Sequence, residues 1–461
     1  MRIFAAENQI NNNMFKREVL RQLESWKADS SRKPLVLRGP RQVGKTTVVN
    51  EFGKLFDNYL YYNLEREADR KVLEMPIPLH GLMEILFVRK GSIRKAGTTL
   101  LFIDEIQNSP KVISLLRYFY EELPEIYVIA AGSLLENLVD VQTSFPVGRV
   151  EYMAMHPCSF KEFLGALDRE DLIFFINHPE MACACHQELM ALFNQYAIVG
   201  GMPEIVQHYA NHRDVLAMDK KYEALLQSYR DDVEKYVRGK KLADVVRFIL
   251  SYGWANAGQT VKLGRFSGSD YNAREVGEAF RLLNKAMILE LVYPTTSPNV
   301  PIMPEIKRMP KLIWFDTGLV NYAAGVRKEV IGSMDIMDAW RGHIAEHVVA
   351  QELLCLNDKV AQERFFWMKG SGGGSAEVDF VWQVDSVLVP IEVKSGINAH
   401  LRSLHSFIEL SVSDIAVRVW SGEYGINELV TPYKGKRFKL INLPFYMLGN
   451  LEQIVRDVKR S

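Results

Sequence analysis

Residues 35–47 read Leu35-Val36-Leu37-Arg38-Gly39-Pro40-Arg41-Gln42-Val43-Gly44-Lys45-Thr46-Thr47. The apolar run at the start predicts a buried strand, and the residues from Thr46 onward predict a helix. Between them lies G-x-x-x-x-G-K-[ST], the phosphate-binding loop, in the strand-to-helix context that this motif requires. Backbone N–H groups would surround a β-phosphate, Lys45 would reach the β- and γ-phosphates, and the Thr46 hydroxyl would ligate Mg²⁺. We therefore predict that residues 39–47 bind a nucleotide.

Two carboxylates follow another apolar run. The segment Leu100-Leu101-Phe102-Ile103 leads directly into Asp104 and Glu105. We predict that Asp104 holds Mg²⁺, directly or through water, and that Glu105 orients and polarises the attacking water. Many strands end in solvated acids, and the phosphate loop upstream is what favours the catalytic interpretation here.

Two further positions carry alternatives that the sequence leaves open. The strand predicted at Tyr127-Val128-Ile129-Ala130-Ala131 is followed by Gly132 and Ser133, and Ser133 would contact the γ-phosphate or the water, or else lie in a plain turn. Arg149 follows the last predicted core strand. It would act as an arginine finger on the γ-phosphate of a neighbouring subunit, which implies a homo-oligomer, or else form a surface salt bridge.

Composition sets broad limits on the chain. Its 461 residues are about three times a typical domain of ~150 residues. Lysine plus arginine and aspartate plus glutamate both number 56, which argues against bulk coating of nucleic acid or an anionic membrane. Four cysteines are too few for disulfide bonds to stabilise a fold of this size. No apolar run of about 18 residues, the length needed to span a membrane, occurs in the sequence. We expect a cytoplasmic protein without membrane insertion.

The hydrophobic pattern predicts an α/β fold in four segments. Residues 1–165 alternate strands and helices around a parallel sheet, and 166–241 read as a helical lid. In 242–325, two helices precede two strands joined by a Pro-rich loop, which suggests a winged helix. Residues 326–461 carry a leading helix and then the order βββαβ. The strands and helix predicted there are Arg364–Met368, Ala376–Trp382, Val387–Val393, the helix Leu401–Leu410, and Ile415–Trp420.

A second group of acids lies in the last segment. Asp379 and Glu392 are 13 positions apart on two predicted strands, and period-two alternation puts Glu392 and Lys394 on one face. Two carboxylates can hold Mg²⁺ against a phosphodiester, while a lysine stabilises or deprotonates the attacking water. Glu346, on the leading helix, would add a ligand. The same spacing also arises by chance on the solvated faces of strands.

Together these motifs resemble AAA-type P-loop ATPases close to the STAND class, and over nearly the whole chain they resemble bacterial and archaeal ATPases fused to an uncharacterised restriction-endonuclease-like domain. In similar proteins a Gly-x-Pro of the lid packs against adenine; here that would be Gly201 and Pro203, which could otherwise form a tight turn. The resemblance rests on Gly39 to Thr47, Phe102 to Gln107, Gly148-Arg149 with Pro157 to Phe163, Gly200 to Glu204, and Phe315 to Leu319.

The C-terminal residues Glu346, Asp379, Glu392 and Lys394 match the positions of the PD-(D/E)xK nuclease site in this resemblance. It implies an α/β architecture of P-loop AAA-type domain, helical lid, winged helix and restriction-endonuclease-like domain. The implied function is ATP binding and hydrolysis with Mg²⁺, gating or driving a nuclease-like domain that acts on DNA or RNA. The alternative is a STAND-like signalling or scaffold protein whose C-terminal domain binds nucleic acid or protein without cutting.

Overall fold

The computed structural model describes residues 15–91, 95–132, 146, 148–237, 239–327, 343–356, 359–360, 363–370, 376–394 and 401–460, without the side chains of 233–236 and 343. Within these ranges, none of the helices combines the length and the apolar character needed to cross a bilayer.

A five-stranded parallel sheet forms the N-terminal part, with the strand order β2-β3-β4-β1-β5. The strands Leu35–Arg38 and Thr99–Asp104 are buried along their whole length, as expected for parallel strands covered on both faces. Because β4 lies between β1 and β3, the loops after β1 and β3 flank its end. The predicted strands of this segment are confirmed. The strands are β1 Leu35–Arg38, β2 Asn58–Asn63, β3 Thr99–Asp104, β4 Ile126–Gly132 and β5 Glu151–Ala154.

Helices cover both faces of this sheet. They include the helix that directly follows the phosphate loop and a long amphipathic helix that begins after Ser109, whose hydroxyl accepts the N–H of Val112 and so caps it. These helices are α1 Val19–Ala28, α2 Lys45–Gly53, α3 Glu67–Leu73, α4 Leu79–Arg89 and α5 Pro110–Glu122.

A helical region follows the fifth strand, as the sequence predicts. Its first helix starts in a capping box, in which the Ser159 side chain accepts the N–H of Glu162 and the Glu162 side chain accepts the N–H of Ser159. The helices are α6 Phe160–Ala166, α7 Glu170–Asn177, α8 His186–Val199, α9 Pro203–His212 and α10 Asp219–Tyr236.

The two helices and two strands predicted as a winged helix are present, but the strands belong to a larger sheet. They are α11 Lys240–Tyr252, α12 Ala273–Lys285, β6 Leu289–Thr295 and β7 Lys311–Trp314. The strand β6 pairs with β7 in antiparallel register and then, from Tyr293 onward, with a C-terminal strand in parallel register. The predicted boundary between 325 and 326 is therefore bridged by backbone hydrogen bonds.

The C-terminal sheet has eight strands in the order β12-β13-β11-β10-β9-β8-β6-β7. The strands and the helix predicted for this segment are confirmed, and two strands and a terminal helix extend it. The elements are α13 Thr317–Ala323, α14 His343–Leu354, β8 Phe365–Met368, β9 Glu377–Val384, β10 Val387–Val393, α15 Arg402–Leu410, β11 Ile415–Trp420, β12 Gly425–Val430, β13 Arg437–Pro444 and α16 Leu451–Arg460.

One hydrophobic cluster runs from Val19 to Val458 and takes residues from all four predicted segments. Within it Trp254, after α11, stacks on Trp314 of β7 with ring centroids 3.7 Å apart. A second cluster fills the other face of the parallel sheet, and a third lies under α15. The four segments thus share one core across their predicted boundaries.

Candidate functional site

The phosphate loop turns sharply between β1 and α2. Gln42 and Gly44 adopt positive φ values of 63° and 92°, so the chain can curl before α2 begins. Lys45 is buried, and its Nζ donates to the carbonyl oxygens of Gly39 at 2.8 Å and Pro40 at 2.7 Å. Burial lowers the pKa of Lys45 to about 8, although Glu105 and Asp104 act in the opposite direction. The loop therefore holds its ammonium against its own carbonyls, where incoming phosphate oxygens would be stronger partners.

The second residue of α2 meets the acid at the end of β3. The Thr46 hydroxyl donates to Asp104 Oδ2 at 2.7 Å, and the Tyr61 hydroxyl donates to the same oxygen at 3.3 Å. A hydroxyl and a carboxylate are both oxygen ligands of the kind that Mg²⁺ prefers. These residues fit the predicted magnesium role, and Tyr61 is a member of the group that the sequence did not indicate.

Glu105 stands beside Asp104 in an unusual backbone conformation. Its φ is 54°, in the left-handed region that residues other than glycine adopt rarely and that often marks functional sites. Its N–H donates to Asp104 Oδ1 at 3.0 Å, and Gln107 Nε2 donates to its Oε2. The turn thus directs Glu105 into the cleft above the loop.

Hydrogen bonds from Arg17 connect the phosphate loop to residues before and within α6. Its guanidinium donates to the carbonyl oxygens of Val43 at 2.9 Å and His156 at 2.8 Å, and to Glu162 Oε1 at 2.9 Å. The arginine is buried, so these bonds are shielded from water. Its distance along the chain from the motif, rather than its residue type, hides this role in the sequence.

Two contacts connect the helical lid to the phosphate loop. The Tyr229 hydroxyl on α10 donates to the carbonyl oxygen of Arg41 at 2.8 Å, and Arg41 Nε lies 2.7 Å from Asp232 Oδ2. Two residues of α10 therefore hold the loop residue Arg41 in place.

An open cleft of about 650 Å³ lies between the loop and the lid. Pro203, the first residue of α9, faces this cleft, and its Cγ would lie 3.8 Å from a Cβ added at Gly44. Gly201 is placed differently, because its N–H donates to Asp316 Oδ2 at 2.6 Å and a Cβ there would meet the Cys158 carbonyl at 2.4 Å. The residues around the cleft are Phe15, Arg41, Gln42, Gly44, Lys45, Thr46, Thr47, Glu51, Asp104, Glu105, Pro203, Glu204, Gln207 and Ser228.

Two predicted positions near the ATPase core remain, Ser133 and Arg149. Ser133 lies outside the described residues. Arg149 lies two residues before Glu151, the first residue of β5, and Glu151 pairs with Leu35 at the start of β1. The phosphate loop follows the other end of β1. Arg149 therefore lies at the end of the sheet opposite the phosphate loop. Its Nε is 3.0 Å from Glu121 Oε1. This is the salt bridge that the sequence left as the alternative, and an action in trans stays a prediction.

The C-terminal candidates converge on neighbouring elements. Asp379 on β9 accepts the N–H of Val393 on its Oδ2 at 2.8 Å, which ties it to β10. Lys394 Nζ lies 3.1 Å from Glu392 Oε1, while Glu392 Oε2 is buried without a hydrogen-bond partner among the described residues. Burial first, and then the Asp379 charge, raise the pKa of Glu392. The register of β9 and β10 thus brings three of the four predicted residues together.

A fifth residue, Lys311 on β7, joins Glu346 to this group. Its Nζ lies 3.3 Å from Glu346 Oε2 and 3.7 Å from Asp379 Oδ1. A further acid, Glu377 on β9, has its Oε1 at 2.8 Å from the same nitrogen. Burial alone would lower the pKa of Lys311, but the carboxylates of Glu346, Asp379 and Glu377 outweigh it and raise that pKa.

This arrangement differs from the predicted metal site. In the part of the chain that the structure describes, no group of three or more His, Cys, Asp or Glu side chains is arranged to hold a metal ion. The physical reason is that the Lys311 ammonium lies among the carboxylates of Glu346, Glu377 and Asp379. The cation that the structure places among Glu346, Glu377 and Asp379 is thus the Lys311 ammonium, and the metal-binding role of Glu346, Asp379 and Glu392 stays a prediction.

The sheet, the phosphate loop and the Thr46–Asp104 pair have the arrangement expected of a P-loop nucleotide-binding domain. The comparison with protein families agrees, since residues 31–164 match a family described as an AAA domain. Residues 190–330 match a domain of unknown function, DUF8612, and residues 341–446 match another, DUF4143.

Whole-chain comparisons add little. No curated protein matches the chain. Among solved structures, the Walker-type ATPase paby2304 of Pyrococcus abyssi is similar over 68% of this chain and 97% of that chain, with 14% sequence identity and a TM-score of 0.41. A similarity at this level is too low to support a shared function or fold.

Proposed function

We propose that the chain binds ATP with Mg²⁺ in the cleft beside the phosphate loop, hydrolyses it, and uses the nucleotide cycle to control its C-terminal domain. The observation that supports this proposal is the 2.7 Å hydrogen bond from the Thr46 hydroxyl to Asp104 Oδ2. Thr46 directly follows the buried Lys45 in the sequence. It joins the end of the phosphate loop to the acid on β3, which is the pairing that nucleotide hydrolysis requires.

Each residue of the cleft has a distinct role in this proposal. Lys45 would leave the carbonyls of its own loop and bind the β- and γ-phosphates, and the N-terminus of α2 would add its positive dipole end. Thr46 and Asp104 would hold Mg²⁺, which when bound neutralises charge on the phosphate oxygens. Glu105 would orient and polarise the attacking water. Pro203 offers an apolar surface to adenine, and Gly201 positions the start of α9 through its bond to Asp316.

Replacement of Lys45 tests nucleotide binding. We expect Lys45→Ala to weaken ATP binding by about 100-fold, because charge-assisted hydrogen bonds to two phosphates contribute roughly 1.5–3 kcal/mol each. Titration with a fluorescent ATP analogue measures this change. Lys71→Ala, at an exposed lysine on α3, is the matched control and should bind as wild type. Unchanged binding and hydrolysis by Lys45→Ala would contradict the proposal.

Two activities of the C-terminal domain are supported by its side-chain contacts. Cleavage of DNA or RNA is favoured by the convergence of Asp379, Glu392 and Lys394, and by the unpartnered Oε2 of Glu392. Binding of nucleic acid or protein without cleavage is favoured by the Lys311 ammonium among the carboxylates. Of the two, we propose binding without cleavage, because the acids of the cluster already have a cation.

A nuclease assay separates these activities. Wild type, Asp379→Ala and Lys394→Ala are incubated with single- and double-stranded DNA and RNA, in Mg²⁺ or Mn²⁺, with and without ATP. We expect no difference between the three proteins. Cleavage by wild type that both variants lose would establish the nuclease instead.

An oligomer is a separate proposal that depends on Arg149. Its side chain is partly exposed and paired only through the surface residue Glu121 in the described contacts, so a neighbouring subunit's γ-phosphate could compete for it. In that case Arg149→Ala lowers the ATPase rate, and light scattering shows a larger mass with ATP. A normal rate in a chain that stays monomeric with ATP would dismiss it.

A further inference from the structure

The carboxylate cluster of the C-terminal domain contains a lysine from outside that domain's own sequence motif. Lys311 is the first residue of β7, and its side chain is 6% exposed. It lies 35 positions before Glu346 and 68 before Asp379. Only the pairing of β6 with β8 brings β7 into the same sheet as β9.

The backbone on either side fixes where this lysine points. Lys311 pairs with Val292 of β6 on one side and forms a bridge to Thr260 on the other. Its Nζ also lies 4.9 Å from the centre of the Phe366 ring, over the ring face. A surface lysine could swing away from a competing metal, whereas this side chain is 6% exposed and extends from a backbone that is paired on both sides.

The ammonium has the chemistry to replace a metal. It carries one positive charge and three donors, and three carboxylates surround it, with Oε1 of Glu377 at 2.8 Å and Oε2 of Glu346 at 3.3 Å. A divalent cation in the same place would bind these oxygens at roughly 2.0–2.6 Å and would be repelled by the ammonium.

We infer that Lys311 is the resident cation of this cluster. Its ammonium takes the place of a divalent metal among Glu346, Glu377 and Asp379, so the native chain does not bind Mg²⁺ or Mn²⁺ there, and loss of the ammonium opens a metal site. The inference does not depend on ATP hydrolysis, and it gives the proposed binding without cleavage its physical cause.

Titration of the full-length, nucleotide-free chain with Mn²⁺, followed by electron paramagnetic resonance, tests this inference. Wild type and Asp379→Asn should bind Mn²⁺ equally weakly. Lys311→Met should gain about one Mn²⁺ per chain, and the double variant Lys311→Met/Asp379→Asn should lose it again. Lys394→Met is the matched control, because Lys394 pairs with Glu392 and is partly exposed; it should gain none.

Circular dichroism and thermal unfolding of the same proteins report whether each variant is folded, and neither measurement depends on nucleotide binding. The inference is overturned if wild type binds a Mn²⁺ ion that Asp379→Asn removes, a result that needs no lysine variant to fold. It is also overturned if folded Lys311→Met gains no metal, or if Lys394→Met gains as much. Unchanged ATP binding and hydrolysis by Lys45→Ala, the result that contradicts the proposed function, would leave the Mn²⁺ results unaffected, so the two proposals fail separately.

Discussion

Glu352 is a buried acid at the contact between α14 and the helical lid. Its Oε1 accepts the N–H of Phe160 at 2.9 Å and the hydroxyl of Tyr196 at 2.7 Å. Burial raises the pKa of Glu352 to about 7, although both hydrogen bonds act against that shift. A single side chain therefore makes the contact between two segments depend on pH near neutrality.

Replacement of Glu352 by glutamine removes this dependence. The raised pKa means that the folded chain binds more protons than the unfolded chain between about pH 4.5 and 7, so the free energy of unfolding falls as pH rises through that window. Glutamine can accept both bonds without a charge. Relative to wild type, Glu352→Gln should therefore gain stability as pH rises, by up to about 3 kcal/mol at pH 8.

Urea unfolding of both proteins at pH 5, 6, 7 and 8 measures the difference between them. Glu278→Gln, at an exposed position of α12, is the control and should follow wild type at every pH. A constant difference between Glu352→Gln and wild type over this range would count against the assignment.

Residue roles could be predicted only where a motif carries them. The phosphate loop, Asp104 and Glu105 are recognisable because the proposed binding of nucleotide phosphates requires this spacing and strand context. Arg17 and Lys311 could not be found in this way. Each is an ordinary basic residue in the sequence, and its partners become neighbours only through the tertiary fold.

At the scale of elements, the turn from α8 into α9 connects the nucleotide cleft to β7. Gly200 ends α8 with φ 73° and ψ −170°, a conformation that is essentially restricted to glycine. Asp316, two residues after β7, accepts N–H groups from Gly201 at 2.6 Å and from Leu319 at 2.8 Å. The helix that presents Pro203 is thus tied to the strand that presents Lys311.

We expect Gly200→Ala to be strongly destabilising. A Cβ there would lie 2.5 Å from the N of Gly318 and 2.6 Å from Asp316 Oδ1, so backbone strain and a steric clash add together. Gly325→Ala is the matched control, since its φ of 72° is nearly the same but no described atom lies within 4 Å of the added Cβ. The control should cost roughly 1 kcal/mol and Gly200→Ala at least about 3 kcal/mol. Thermal unfolding measures both, and equal losses would contradict this account of the turn.

Most elements could be predicted because their hydrophobic period is clear. The strand around Leu101 is a continuous apolar run, and the strands around Phe380 and Ile391 contain shorter apolar runs; the structure buries the apolar residues of all these runs that flank Leu101, Phe380 and Ile391. In contrast, β12 was not predicted. Its middle is exposed and carries Asn427 and Glu428, so no apolar alternation indicates a strand. Pairing with β13 makes it a strand.

At the scale of the whole molecule, the four predicted segments are not independent. Sequence composition places a boundary near 325, where the predicted wing ends. The structure joins β6 to β8 by pairs such as Tyr293 with Phe365, and Arg364 forms an ion pair with Glu290 across the same boundary. Long-range strand pairing leaves no local signal in the sequence, which is why this continuity could not be predicted.

We expect the fragment 1–325 to aggregate when expressed alone. It would expose the edge of β6 and leave Thr317 without Gln351, whose Oε1 accepts the Thr317 N–H at 2.7 Å. Co-expression with 326–461 should restore soluble protein. Size-exclusion chromatography of both preparations measures the outcome. A soluble, monomeric 1–325 fragment would show instead that the boundary divides two autonomous units.

The bond from the N–H of Phe160 to Glu352 closes a loop of 192 residues, and Asn450 Nδ2 reaches back 274 positions to the carbonyl of Ile176. At about 5–20 residues per second, a ribosome needs roughly 10–40 s to deliver Glu352 after Phe160 has emerged. The ring of Phe193 on α8 waits longer still, because in the folded chain it stacks on Phe445 with centroids 5.5 Å apart. Chaperone dependence during synthesis should therefore be set by α6 and α8, rather than by the parallel sheet, whose strands are complete by residue 154.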